Sequence, residues 1–211
     1  MHRPTLPPDK PAENSALPDV DRTALRRAKI AAREALRPEQ HRCLSLAIEN
    51  HLAGIFQRCR PRILGYCWPF RGEVDCRPLV LRLLAEGVRS CLPLVTAAGE
   101  ALEFRAWQPD SEMLTDRYGI HYPAAGELLV PDVLLMPVNA FDAAGYRLGY
   151  GGGYFDRTLA RLAAQGLRPL AIGVGFELAR VPSISPTAYD IPLDAVVTEA
   201  GVSRFSDRLP R

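Results

Sequence analysis

Four of the five residues from 149 to 153 are glycine, and they lie between an apolar run, Val133 to Val138, and a helical pattern, Phe155 to Gln165. Because glycine has no side chain, such a stretch lets the backbone turn sharply and approach a ligand closely. The apolar run is typical of a strand buried on both faces. The sequence therefore predicts a strand, a glycine loop and a helix in succession.

The rest of the chain shows the same alternation of short apolar runs with helical patterns. A first helix is predicted from Asp19 or Asp21, and Pro38 ends it or begins the next. Further strands are predicted at residues 62–67, 88–95, 102–107 (an edge strand), 170–176 and 195–198, and a further helix at residues 79–84, which Gly87 ends. Strands that alternate with helices predict an α/β domain with a layered, mostly parallel sheet flanked by helices.

One irregular segment and one unusual terminus interrupt this pattern. Residues 109–131 show no period, and we expect a lid or a binding loop there. Residues 1–18 contain five prolines and few apolar side chains, which predicts a disordered leader. The remaining residues, 19–211, are long enough for one sizeable core, so we expect a single domain.

Composition excludes several classes of protein. The net charge of +2 is too small to indicate nucleic acid as the main partner. No apolar run approaches the roughly 20 residues that span a bilayer, and the first residues lack the apolar region of a secretory signal. The five cysteines form no CxxC pair, so neither a zinc site nor a disulfide framework is indicated. We expect a monomer in the cytoplasm, without a membrane partner.

The residues around the glycines predict a site for a nucleotide triphosphate. Free N–H groups at the start of a helix, together with the helix dipole, attract an anion. Arg147 supplies a clamp for a phosphate oxygen, and Asp156 supplies an oxygen ligand for a phosphate-bound Mg²⁺. The stretch is neither a Walker A loop, which needs Gly-Lys-Ser/Thr, nor a Rossmann fingerprint, since Tyr154 stands at the third glycine position. The alternative is a turn that serves only chain reversal.

The stretch from Arg147 to Asp156, RLGYGGGYFD, resembles the R-L-G-x-G-x-G-[YF]-[YF]-D signature of the 5-formyltetrahydrofolate cyclo-ligases. Other parts of the chain resemble this family in the same order over about residues 20 to 200. They are Arg22 to Arg26 with Arg33 and residues 38–40, Phe70 to Asp75, Met136-Pro137, Ala140 to Asp142, Asp190 to Asp194 and Val196 to Thr198.

The resemblance implies a fold, an activity and two bound groups. The fold would be a cyclo-ligase-like open sheet of the NagB/RpiA type. The activity would be the conversion of 5-formyltetrahydrofolate to 5,10-methenyltetrahydrofolate with ATP and Mg²⁺. In that reaction the formyl oxygen attacks the γ-phosphate, the folate N10 attacks the activated carbon, and phosphate leaves. Such chemistry depends on positioning and charge neutralisation more than on a protein nucleophile.

The resemblance also implies roles for individual residues. Asp156 would bind Mg²⁺, Arg147 and Tyr154 would be catalytic, and Phe70, Glu73 and Tyr122 would bind folate. The nucleotide would be held by Arg22, Arg26, Arg147, Leu148, Gly149, Tyr150, Gly151, Gly152, Gly153 and Tyr154.

Simpler alternatives stay open for several of these residues. The arginines between residues 22 and 37 would otherwise form a solvated basic helix face. Glu73 would otherwise cap a helix or stand exposed in a turn, and Tyr154 and Phe70 would pack in the core.

Two positions depart from the family pattern. Tyr122 stands where the family has an acid or an amide in G-I-x-[EQ]-P, and Ala179 stands where it has a glutamine. These departures leave two further hypotheses: a diverged relative that binds ATP but uses another substrate, and a non-catalytic nucleotide-binding protein on the same fold.

Overall fold

The computed structural model describes residues 20–210, so the predicted leader at residues 1–18 lies outside the described residues. The helices are α1 (Arg22–Glu34), α2 (Pro38–Cys59), α3 (Arg77–Ala85) and α4 (Tyr154–Ala164), with a 3-10 turn at Glu177–Ala179. The strands are β1 (Ile63–Gly65), β2 (Arg89–Leu94), β3 (Glu103–Trp107), β4 (Met113–Thr115), β5 (His121–Pro123), β6 (Val133–Pro137), β7 (Ala140–Phe141), β8 (Arg147–Leu148), β9 (Leu170–Val174), β10 (Ala195–Thr198) and β11 (Gly201–Arg204).

The helix starts follow from capping residues. The sequence predicted that α1 begins at Asp19 or Asp21. Asp21 is the N-cap of α1, and its side chain accepts hydrogen bonds from the amides of Thr23 and Ala24. Such a cap satisfies backbone donors that have no partner within the helix. Pro38 begins α2, where its fixed backbone angle is already helical and its missing N–H costs nothing.

The central sheet has seven strands in the order β11-β10-β9-β6-β1-β2-β3. The strands β10, β9, β6, β1 and β2 pair in parallel, and antiparallel strands close both edges. The predicted α/β class with a mostly parallel sheet is confirmed, as is the edge position of β3.

The strand order reverses between β1 and β6, and such a reversal is the usual position of a ligand site in open α/β sheets. After β1 the chain crosses to β2 on one side, and after β6 it crosses through α4 to β9 on the other. The ligand site at such a reversal is the crevice beyond the carboxyl ends of the strands. Glu73 follows β1, and the glycine stretch follows β6, so both approach this crevice.

Helices cover both faces of the sheet and bury two cores. The larger core lies between the sheet and helices α2 and α3, with Ile48, Leu52 and Leu79 facing Leu64 and Ile172. The second core lies on the opposite face, where Leu159 of α4 packs with strand residues and Phe141.

We expect Gly173→Ala to destabilise the fold, because β9 has no room for a methyl group at this point. A Cβ atom there would lie 2.6 Å from Leu193 Cδ1 and 2.9 Å from atoms of Val138 and Val196. Overpacking of this kind costs about 1–3 kcal/mol, which urea unfolding would measure. Gly54→Ala in α2 is the control, since its nearest neighbour is Arg58 at 4.0 Å. That variant should gain up to ~1 kcal/mol; equal shifts in both variants would contradict the packing argument.

Three short strand pairings were not predicted. The segment 109–131 was expected to be irregular but contains the hairpin β4–β5. The first two residues of the RLGYGGGYFD stretch, Arg147 and Leu148, form β8, which pairs with β7 in a second hairpin before the glycine loop. The third pairing joins β11 to β10. Strands of two to four residues carry too few side chains to show a period in the sequence, so only their tertiary neighbours define them.

Candidate active site

The glycine loop, residues 149–153, connects β8 to the start of α4. Gly151 and Gly153 have φ angles of +98° and +64°, which residues with a side chain rarely adopt. Gly153 is the N-cap of α4 and provides no side-chain hydrogen bond. Within residues 20–210, the amides of Tyr154, Phe155 and Asp156 donate to no acceptor. The loop therefore offers a row of free backbone donors at a helix N-terminus, which is what an anion needs.

The side chain of Tyr154 lies against the loop that it follows. A Cβ atom on Gly152 would lie 2.6 Å from the Tyr154 ring, and one on Gly153 would lie 2.8 Å from Arg157 Nη1. The ring is half-buried, packs partly on the core and lies below the Arg157 guanidinium, whose carbon is 5.1 Å from the ring centre. Tyr154 thus combines a core role with a position beneath the loop.

Helix α1 presents a basic stripe, defined as Arg22, Arg26, Lys29 and Arg33. All four side chains face the protein, which makes the solvated-face alternative wrong for them. Arg26 Nε donates to the carbonyl of Gly149 at 2.6 Å, and its guanidinium lies beside Gly151. Lys29 Nζ donates to Leu178 O at 2.6 Å. The four residues are spaced four, three and four positions apart, which places them on one helix face. This spacing is the sequence signal that groups Lys29 and Arg33 with Arg22 and Arg26.

Arg22 is paired with a carboxylate of the closing segment. Its two terminal nitrogens donate to Asp190 Oδ2 and Oδ1 at 2.6 and 2.9 Å. The bidentate pair ties the start of α1 to the loop that precedes β10, so Arg22 in this state supports the site through Asp190.

We expect this pair to make stability depend on pH. The hydrogen bonds from Arg22 lower the pKa of Asp190 to about 2. A lowered pKa contributes stability above the unfolded value of about 3.9, and that contribution is lost as the pH falls from there toward 2. Thermal unfolding of the wild type and Asp190→Asn should therefore differ at pH 6 and converge near pH 2. A difference in melting temperature that stays constant over this range would contradict the assignment.

Arg147 and Asp156 form an ion pair in which the arginine is buried and the carboxylate is not. The Arg147 side chain is 5% exposed and that of Asp156 is 22% exposed. Arg147 donates to Ile191 O at 2.9 Å and to Asp156 Oδ1 at 3.2 Å. Burial lowers the pKa of Arg147, and the neighbouring carboxylate opposes this. The sequence predicted a direct phosphate clamp, but both terminal nitrogens of Arg147 are committed to the protein in this structure.

The remaining oxygen of Asp156 suits a hard cation. Oδ1 accepts from Arg147 and from the amide of Ile191, whereas Oδ2 has no hydrogen-bond partner within residues 20–210. Mg²⁺ commonly binds through one or two carboxylates and the phosphates of a substrate, so a half-exposed carboxylate beside an anion-binding loop fits it. The described part of the chain contains no cluster of three or more His, Cys, Asp or Glu side chains that would hold a metal without phosphates.

Leu148 contributes to this region through its position rather than its side chain. The side chain is fully buried in a small cluster with Ala140 and Ile184. Its carbonyl accepts a hydrogen bond from Asn139 at 2.8 Å, which closes the β7–β8 hairpin.

Glu73 is buried at the carboxyl end of β1 and held from two sides. Its Oε1 accepts from the Tyr150 hydroxyl at 2.8 Å, and its Oε2 accepts from the amide of Phe70 at 3.1 Å. Burial raises the pKa of Glu73, while Arg33 and these hydrogen bonds oppose the rise. The N-cap of α3 is Cys76, so Glu73 is neither a helix cap nor an exposed turn acid. It lines a small cavity with Cys67, Pro137 and Val174, beyond the ends of β1, β6 and β9.

Aromatic side chains of the segment that leads from β1 to Glu73 pair with the residues that pack on it. The rings of Phe70 and Tyr150 are 5.8 Å apart, and the ring of Trp68 is 5.7 Å from His121 of β5. The β4–β5 hairpin therefore packs over the segment after β1. Tyr122 lies on β5 opposite Leu114, half-buried, and its hydroxyl makes no hydrogen bond within residues 20–210.

Among the residues that the structure describes, no helix has the length and apolar character needed to cross a bilayer.

Comparisons with known proteins agree with this geometry. The sequence pattern of the 5-formyltetrahydrofolate cyclo-ligase family matches residues 18–199. The 5-formyltetrahydrofolate cyclo-ligase of Escherichia coli (strain K12) is 33% identical over 177 residues, which cover 81% of this chain and 96% of that protein. The enzyme of the same name from Haemophilus influenzae is 27% identical over 180 residues.

Solved structures show the same relationship. The 5,10-methenyltetrahydrofolate synthetase of Aquifex aeolicus superposes with a TM-score of 0.75 at 31% identity, over 90% of this chain and 95% of that one. The synthetase of Mycoplasma pneumoniae, at 22% identity and a TM-score of 0.67, shows that the fold is shared. The glycine loop, the Arg26 side chain that holds it and the family match over residues 18–199 agree: the chain belongs to the 5-formyltetrahydrofolate cyclo-ligase family.

Proposed function

We propose that this protein cyclises 5-formyltetrahydrofolate to 5,10-methenyltetrahydrofolate with ATP and Mg²⁺ and releases ADP and phosphate. The observation that carries the proposal is the glycine loop, whose free amides lie beside Arg26 and the Asp156 carboxylate. Amides, a guanidinium and a carboxylate ligand are the groups that phosphoryl transfer requires for positioning and charge neutralisation. Membership of the family supports the identity of the second substrate.

The residues divide the work between two neighbouring regions. The amides of residues 151–156 and Arg26 bind the triphosphate, and Arg22 supports them through Asp190. Asp156 holds Mg²⁺, which neutralises charge on the phosphates, and Arg147 orients that carboxylate from the buried side. Tyr154 supports the loop from below. Glu73 accepts hydrogen bonds from the pterin ring beyond the end of β1. Phe70, whose ring packs on Tyr150, and Tyr122 of β5 contact the same substrate.

A second candidate is a family member that binds ATP but acts on another substrate. Two substitutions favour it: Tyr122 replaces an acid or amide on the hairpin over the pocket, and Ala179 replaces a glutamine. Ala179 is buried in the 3-10 turn, where its methyl group offers no hydrogen bond. The nucleotide half of the site is the same in both candidates.

A turnover assay separates the two candidates. Purified protein is mixed with 5-formyltetrahydrofolate and Mg-ATP, and formation of the methenyl product is followed by its absorbance band together with ADP release. Controls omit ATP or add a chelator. A band that needs both ATP and Mg²⁺ supports cyclisation. Tight ATP binding without the band would reject cyclisation and leave the diverged relative and the non-catalytic nucleotide-binding protein. Cytoplasmic localisation and a monomeric state stay predictions.

A further inference from the structure

Arg33 is a buried arginine to which the proposed chemistry assigns no role, and its hydrogen bonds reach the partly exposed side chain of Tyr150. The Arg33 side chain is 5% exposed. Its Nε donates to Arg71 O at 3.0 Å, Nη1 to Asn139 Oδ1 at 2.9 Å and Nη2 to the Tyr150 hydroxyl at 3.0 Å. All three guanidinium nitrogens are therefore engaged, which fixes the plane and the rotation of the group.

The direction of the hydrogen bonds through Tyr150 follows from this arrangement. Arginine can only donate, so the Tyr150 oxygen accepts from Arg33 and its proton points elsewhere. The hydroxyl proton points to Glu73 Oε1, which lies 2.8 Å from the Tyr150 oxygen. Because the other carboxylate oxygen accepts from the Phe70 amide, the Glu73 carboxylate is held in one orientation.

Tyr150 also belongs to the glycine loop. It stands between Gly149, whose carbonyl accepts from Arg26, and Gly151, whose φ is +98°. An adjustment of the loop around phosphates that displaced Tyr150 would therefore act, through its hydroxyl, on the Glu73 carboxylate. No other hydrogen bond among the described residues joins the loop to Glu73.

We propose that Tyr150, held by Arg33, is a positioning residue that couples the two substrates: its hydroxyl orients the Glu73 carboxylate, so that nucleotide on the loop and folate at Glu73 strengthen each other's binding. This inference rests on the proposed function, which assigns the loop to ATP and Glu73 to the pterin. The position of Tyr150 is variable in the family signature, so the coupling is a property of this chain's own residues.

The test uses the full chain and Tyr150→Phe, which removes the hydroxyl and keeps the ring. Calorimetry gives the Kd of 5-formyltetrahydrofolate with and without a non-hydrolysable ATP analogue and Mg²⁺. We expect the nucleotide to tighten folate binding about fivefold or more in the wild type, which is the lower end of typical couplings, and the factor to fall toward one in the variant. By linkage, folate must change the Kd of the nucleotide by the same factor, which provides an internal check.

Tyr118→Phe is the matched control. The Tyr118 hydroxyl also accepts from an arginine, Arg117 at 2.8 Å, but it lies in the exposed turn between β4 and β5. Loss of this hydroxyl should leave the coupling factor of the wild type unchanged.

A pH profile supplies a readout that a purely structural role would not move. The Tyr150 hydrogen bond lowers the pKa of Glu73, so its loss should move the acid limb of kcat/KM for folate to higher pH. Tyr150→Phe does not change the other charged and titratable groups on the elements that pack around Glu73. These groups are Arg33 of α1, His41 of α2, Arg71, Cys67 after β1 and Cys76 before α3.

The outcomes separate this inference from the proposed function. A wild type that forms methenyl product, beside a Tyr150→Phe variant that retains the full coupling factor, overturns the inference alone. A wild type that turns over both substrates without any coupling overturns it as well. A wild type that binds the ATP analogue but no folate contradicts both, and that failure appears before any variant is made.

Discussion

Asp156→Asn is expected to lower kcat by about two to three orders of magnitude while the protein stays folded. Asparagine keeps the shape of the side chain, so its oxygen can still accept from the Ile191 amide and from Arg147. The substitution removes the negative charge that a Mg²⁺ ligand needs. It also leaves the buried Arg147 guanidinium without a compensating anion.

Steady-state kinetics over a range of Mg²⁺ concentrations would measure this effect. The residual activity of the variant should require a higher Mg²⁺ concentration than that of the wild type, because a neutral amide is a poorer ligand for a hard cation. Asp110→Asn, at an exposed aspartate after β3, is the control and should be unaffected. Activity of Asp156→Asn within about twofold of the wild type would reject the metal assignment; near-ultraviolet circular dichroism would verify that the variant is folded.

Gly151→Ala is expected to raise KM for ATP about tenfold or more. A residue with a side chain at a φ of +98° is strained by about 1–3 kcal/mol, and each 1.4 kcal/mol corresponds to a factor of ten in an equilibrium. The added methyl would lie 3.4 Å from the guanidinium of Arg26, close to ordinary van der Waals contact, so backbone strain and not a clash is the main effect. The loop can relieve the strain only by leaving the geometry that we assign to phosphate binding.

Gly87→Ala separates backbone strain from loss of the site. Gly87 has a φ of +90° and no heavy atom within 4 Å of the position of an added Cβ, and it lies after α3, remote from the loop. Alanine at position 87 should lower the melting temperature by about as much as Gly151→Ala does, because both changes place a side chain at a positive φ. It should leave the KM values for ATP and for folate unchanged. If the two variants showed the same kinetics, the glycine loop would have no special part in nucleotide binding.

These two variants also distinguish which part of the site fails. Asp156→Asn should act mainly on kcat, because charge neutralisation matters most in the transition state. Gly151→Ala should act mainly on KM for ATP, because it disturbs the amides that bind the nucleotide before reaction. Asp156→Asn leaves Tyr150 and its hydrogen bond to Glu73 in place, so in that variant the Kd of folate measured without nucleotide should stay within about twofold of the wild type.

The sequence located the glycine loop and the carboxylate but not the buried network behind them. Glycine spacing and the following helix pattern were enough to predict a strand, a loop and α4, because backbone freedom and periodicity are local properties. The spacing of Arg33 from Arg22, Arg26 and Lys29 indicated its helix face but not its burial, since an arginine on an amphipathic helix is usually exposed. Only the packing of α1 against the β7–β8 hairpin and the turn at Arg71 gives its guanidinium three acceptors.

The roles of Arg147 and Glu73 show the same limit. The phosphate role of Arg147 stays a prediction, and only the structure shows that its terminal nitrogens also donate to Ile191 and Asp156, because the closing segment folds back beside α4. The sequence left Glu73 open between a cap and a ligand-binding acid. Burial beyond β1 and the hydrogen bond from Tyr150 remove the first alternative.

By itself, the sequence determined the α/β class, the position of the loop at the start of α4 and the family, because all three depend on residues that are close along the chain. The tertiary structure alone decided which charges meet. Residues 33, 73 and 150 are far apart along the chain, and they are joined where the strand order reverses between β1 and β6. Contacts of this kind depend on the topology of the sheet, which brings loop ends together that no local pattern relates.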